Sequence, residues 1–130
     1  MRQFRVGSIK RNHDPMMLEI VAGMIDENET PADAAKRECL EETGEKVKKL
    51  TSIYSYYPSP GSSESYYHSY LAEIDAFEGE RFFGQENEHE DILVKSYSIT
   101  EVRSFLKEKK IINALSILAL QWFFLEYYKD

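Results

Sequence analysis

Residues 30–44 constrain the fold more tightly than any other segment. Thr30 offers a side-chain oxygen to cap a helix, and Pro31 suits its first position. Asp33 completes a weak capping box, and Gly44 supplies a left-handed stop. The helix so delimited is unusual in charge. At about 100° per residue, Glu42 falls about 40° and Glu41 about 60° from Glu38, so three carboxylates share one face. Cys39 and Ala32 lie together about 110° away, with Ala35 near about 60°, a small-residue stripe suited to contact with a sheet. Arg37 stands four residues before Glu41 and can pair with it. The like charges repel, and the helix dipole disfavours anions at this C-terminal end. A sequence bearing both penalties points to a bound cation. Carboxylate oxygens are hard ligands, so Mg²⁺ or Mn²⁺ is the natural occupant; the alternative is an exposed acidic helix.

The charge distribution follows the same division. The chain carries 23 acids against 16 Lys and Arg, a net −7. Residues 26–45 hold eight acids against Lys36 and Arg37, and residues 73–91 hold eight against Arg81. Residues 1–14 lean the other way, with Arg2, Arg5, Lys10 and Arg11 against Asp14. Such an acidic chain is a poor match for nucleic-acid phosphates. At 130 residues one domain is expected, spanning 1–130. The single cysteine, Cys39, cannot form a disulfide within the chain, which fits a reducing compartment such as the cytoplasm. The first fourteen residues contain no apolar run, so a cleavable signal peptide is not expected.

Periodicity places the remaining elements. Residues 4–6 read as the end of a strand, and 16–22 (MMLEIVA) as a buried strand interrupted by Glu19. Residues 47–57 and 65–75 read as strands joined by a turn-rich segment containing Pro58 and Pro60. Residues 84–91 form a polar loop, 92–99 another strand, and 101–109 and about 113–128 helices. The last helix is apolar from Ile111 to Leu125 apart from Asn113, Ser116 and Gln121. A spanning helix needs about 20 such residues, so a core or dimer-contact helix is expected and no membrane partner.

Residues 23–44 resemble the Nudix box, GX5EX7REUXEEXGU, where U is a bulky apolar residue. Gly23, Glu29, Arg37, Glu38, Glu41, Glu42 and Gly44 match every fixed letter. Cys39 and Glu45 depart at apolar positions, the second leaving the contacts beyond the helix to be explained. Residues 22–26 (AGMID), Ser59-Pro60-Gly61, the loop 86–91 and the tail 113–122 are similar to the bacterial ADP-ribose pyrophosphatase branch. The resemblance covers essentially the whole chain. It implies an α/β fold, an α/β/α sandwich with a mixed sheet, either complete or lacking N-terminal strands. Full-length relatives carry several dozen residues before the point aligned with Met1, which supply early strands and an arginine pair; weakened ADP-ribose affinity is the corresponding expectation.

The resemblance also implies roles. The Ala22 carbonyl, Glu38, Glu42 and the loop residue Glu90 would hold Mg²⁺, with Glu41 assisting. Glu88 would be the base that activates water, with Glu86 or Glu90 as alternatives. Arg5 would contact phosphates; Ser59, Pro60 and Gly61 would line the substrate site, and Glu64 the ribose or adenine end. The implied reaction is Mg²⁺-dependent hydrolysis of ADP-ribose to AMP and ribose 5-phosphate by a homodimer. Two alternatives stay open: another ADP-sugar or a dinucleoside polyphosphate as substrate, or a catalytically impaired binding or dimerisation module.

Overall fold

A computed structural model describes residues 1–11, 13–83 and 91–129, the Lys10 side chain excepted. Among these residues, six strands and three α-helices follow in the order β1 (Arg2–Phe4), β2 (Met16–Leu18), α1 (Pro31–Thr43), β3 (Lys49–Tyr56), β4 (Tyr67–Glu73), β5 (Glu80–Phe83), β6 (Ile92–Lys95), α2 (Ile99–Lys107) and α3 (Ala114–Trp122). A 3₁₀ turn, Val6–Arg11, links β1 to β2, and a π-helical turn, Phe123–Tyr127, extends α3. The fold is α/β, as expected.

The strands form two sheets. One has the order β2-β1-β6-β5; the other is the hairpin β3-β4. Among the described residues every pairing is antiparallel, where a single mixed sheet was expected. The reason lies in residues 19–22. They were expected to extend β2, but the strand ends at Leu18. The Ile20 N–H donates to Ser116 Oγ (3.1 Å) and the Ala22 N–H to Glu42 Oε2 (3.3 Å), so these amides serve side chains instead of a ladder. The core is small: Ala34, Cys39, Ile92, Val94, Ile111 and Ala119 are its buried apolar residues among those described. Ile92 and Val94 project from β6, an interior strand, and are covered on alternate residues.

Helix α1 begins and ends as its sequence dictates. Thr30 is the N-cap, its Oγ1 accepting from the Asp33 N–H (3.2 Å), and Gly44 closes the helix at φ +74° with its N–H on Leu40 O (2.8 Å). The buried face differs from the expected stripe. Ala34, Cys39, Glu42 and Thr43 are buried, while Ala32 and Ala35 are only half-covered. The helix is therefore rotated so that a carboxylate, Glu42, sits at its inner face. Glu45 stands where the box prefers an apolar side chain. It accepts an ion pair from Arg81 Nη1 on β5 at 2.7 Å, which compensates the departure.

The predicted strand 92–99 is shorter, because Ser98 caps α2 with a full capping box to Glu101. The predicted helix 113–128 divides into α3 and the π turn, with Asn113 as its cap. No helix among the described residues is long and apolar enough to cross a membrane.

Candidate active site

Arg37 organises the loop that precedes α1. Its Nε and Nη2 grip both oxygens of Glu29 (3.0 Å each), a bidentate fork. Its Nη1 reaches Glu38 Oε1 (2.7 Å) and Glu41 Oε2 (3.0 Å), and Nη2 also donates to Met24 O (2.8 Å). Glu29 Oε2 accepts from the Asp26 N–H as well (3.1 Å). One guanidinium thus ties residues 24–29 to two carboxylates of the helix. The donors hold the Glu29 carboxyl below its ordinary value of 4.5, with the Arg37 hydrogen bonds as the largest cause, and raise Arg37 further above its own.

Gly23 lies directly against that face. A Cβ built there would stand 1.9 Å from Glu38 Cδ and 2.0 Å from its Oε1. Only glycine lets the Glu38 carboxylate lie on the backbone here. Glu42, 4% exposed, accepts the Ala22 N–H. The structure therefore brings Ala22, Gly23, Glu38 and Glu42 together, with Glu41 beside them through Arg37.

These donors suit a hard divalent cation in kind: carboxylate oxygens next to backbone. No three His, Cys, Asp or Glu side chains converge as a metal cage among the described residues. Mg²⁺ does not require one, since it is commonly held by one or two carboxylates and keeps several waters.

A cavity of about 930 Å³ opens beside Ala22 and Gly23. Arg5 and Arg11 supply its cationic wall, with the His13 ring beside them, and Phe4 and Tyr67 its aromatic one. His13 carries no distinctive sequence signal, and Arg11 stands out there only within the basic balance of residues 1–14, because the approach of both to the cavity is tertiary. Ser59, Pro60 and Gly61 do not line this cavity. They form a tight exposed turn in which the Ser62 and Ser63 N–H groups donate to Ser59 O (3.0 Å each). Glu64 follows in the same exposed loop and is not brought to the cavity either. Glu86, Glu88 and Glu90 lie outside the described residues. Cys39 is buried, and burial raises its thiol pKa, so it contributes to the core and not to chemistry.

Comparison with known proteins decides the family. The NUDIX domain model matches residues 2–120. The chain belongs to the NUDIX domain family. This NUDIX chain is 37% identical over 122 residues to the ADP-ribose pyrophosphatase of Escherichia coli K12, covering 94% of the chain and 58% of that relative. It is 34% identical to the ADP-ribose pyrophosphatase of Haemophilus influenzae, covering 98% of the chain and 60% of the relative. The GDP-mannose pyrophosphatase of Cronobacter sakazakii is 32% identical over 123 residues, with 93% and 63% covered. The NUDIX chain thus spans about three fifths of the length of these curated relatives.

Proposed function

We propose that the chain hydrolyses the pyrophosphate bond of ADP-ribose, releasing AMP and ribose 5-phosphate, with Mg²⁺ as cofactor. The observation that carries the reading is a carboxylate face, Glu38 and Glu42 against Ala22 and Gly23, bordering a cavity walled by Arg5, Arg11 and His13. The names of the E. coli and H. influenzae relatives support the substrate.

Glu38, Glu42 and the Ala22 carbonyl would hold Mg²⁺, assisted by Glu41 and by Glu90 of the acidic loop; Mn²⁺ is a natural substitute. Bound there, the ion supplies charge neutralisation of the diphosphate and acidifies water. The protein does the rest by position. Arg37 orients Glu38 and Glu41, and Arg5 binds a phosphate of the substrate. Water adds to one phosphorus, and the bond to the bridging oxygen breaks with its electron pair on the departing phosphate. The water proton passes to a carboxylate, a role given to Glu88 by resemblance. Ser59, Pro60, Gly61 and Glu64 enter the reading only as contributors to a partner subunit's site in a homodimer. The single, buried Cys39 is compatible with the reducing, cytoplasmic setting proposed for the chain.

Glu42→Gln tests the proposal. Mg²⁺-dependent release of AMP should fall at least about a hundredfold with the circular dichroism spectrum retained; unchanged kcat refutes it. The C. sakazakii relative favours a second reading, GDP-mannose as substrate. Comparing kcat/KM for ADP-ribose and GDP-mannose on the same preparation separates the two.

A further inference from the structure

Glu19 is a carboxylate in an otherwise apolar run, and its side chain is 5% exposed. A buried carboxylate is costly unless its oxygens are occupied. Both are. Oε2 accepts from Arg5 Nε (3.1 Å) and Nη2 (2.9 Å), and Oε1 accepts from Asn113 Nδ2 (3.0 Å). Asn113 is itself fixed, because its Oδ1 accepts from the Ser116 N–H (3.1 Å) and Ser116 Oγ (3.3 Å) as the cap of α3. Ser116 Oγ in turn accepts from the Ile20 N–H (3.1 Å), the residue next to Glu19. The network closes on itself through elements 94–96 residues apart in sequence.

The burial is asymmetric. Against the covered Glu19, the Arg5 side chain is 40% exposed and lines the cavity. Both engaged Arg5 nitrogens converge on one Glu19 oxygen. The third, Nη1, has no hydrogen bond among the described residues.

We infer that Glu19 is a positioning residue for substrate binding: it fixes the Arg5 guanidinium at the cavity wall, and Asn113 fixes Glu19. The inference rests on the reading that this cavity receives a diphosphate. It runs against simple charge counting, by which removing an anion beside the cavity strengthens binding of another.

The test is a double-mutant cycle on the folded protein, with inorganic pyrophosphate and ADP-ribose titrated by calorimetry without metal. Glu19→Gln and Arg5→Ala should each weaken pyrophosphate binding about tenfold, with the double variant no weaker than Arg5→Ala. In turnover, Glu19→Gln should raise KM with kcat within about twofold. Tighter or unchanged pyrophosphate binding in Glu19→Gln overturns the inference. So does a Glu19→Gln effect that persists in the Arg5→Ala background, or a wild-type protein that binds no pyrophosphate. If Glu19→Gln does not fold, Asn113→Ala, which keeps the ion pair, is read instead: about threefold weaker binding supports the role, and no change overturns it. Coupling without ADP-ribose hydrolysis sinks the proposed function and leaves the positioning role standing; hydrolysis without coupling does the reverse.

Discussion

An alanine at Gly23 would put its Cβ inside the volume held by the Glu38 carboxylate. The obstructed group is the far end of a flexible side chain, so the helix can keep its place while Glu38 swings away. Gly23→Ala should therefore cost about 1 kcal/mol or less in stability, yet reduce Mg²⁺-dependent turnover at least about tenfold. Urea unfolding and a kcat measurement check the two halves separately. Much of this scale was readable in advance. The Arg37–Glu41 pair follows from helical spacing alone, and it forms at 3.0 Å. The Arg37–Glu29 fork did not follow from it, because eight residues and a helix start separate the partners. Glu19 was visible as an oddity in an apolar run, but its partners come from β1's end and from α3, and no local pattern carries that information.

Helix α1 was the most legible element because its signals are local. Thr30→Ala should cost about 1 kcal/mol through the lost cap. Gly44→Ala should cost about 1–3 kcal/mol, since φ is +74° and the Phe83 ring lies 2.8 Å from the added Cβ. Thermal or urea unfolding measures both. The Arg81–Glu45 pair joins the end of α1 to β5. Arg81→Leu should destabilise by about 1 kcal/mol or less, and Glu45→Leu added to it should recover the loss; a double variant no better than the single one removes the compensation argument. Strand ends were less legible. The Ile20 amide, turned to Ser116, stops β2 and Ser98 stops β6, so tertiary contact and capping override the apolar runs in which these residues sit. The helix face departs from the expected stripe for a similar reason: Glu42 turns inward to accept the part-buried Ala22 N–H, whereas side-chain polarity alone places a glutamate outside.

Across the whole molecule, acid should be more destabilising than base. Hydrogen bonds hold the carboxyls of Glu29, Asp33, Glu101 and Glu108 below their ordinary values of 4.5, 3.8, 4.5 and 4.5. A depressed folded-state pKa stabilises fully above the ordinary value, and that stabilisation is lost as pH falls through the depressed one. The thermal midpoint should therefore drop as pH is lowered below about 4.5, and Glu29→Gln should make the drop shallower. Mg²⁺ should raise the midpoint at neutral pH through binding to the folded state alone, and should not do so in Glu42→Gln. The acidic balance that disfavours nucleic acid thus also predicts a ligand response.

The hairpin β3-β4 shares no hydrogen-bonded ladder with the four-stranded sheet among the described residues, and none of its strand residues is buried. Amide exchange should register this as two kinetic populations, with the hairpin protons lost first while those of β1 and β6 persist. The turn at Ser59–Ser62 rides on the faster of the two units. Its position can therefore be reset by local opening at a cost below that of global unfolding.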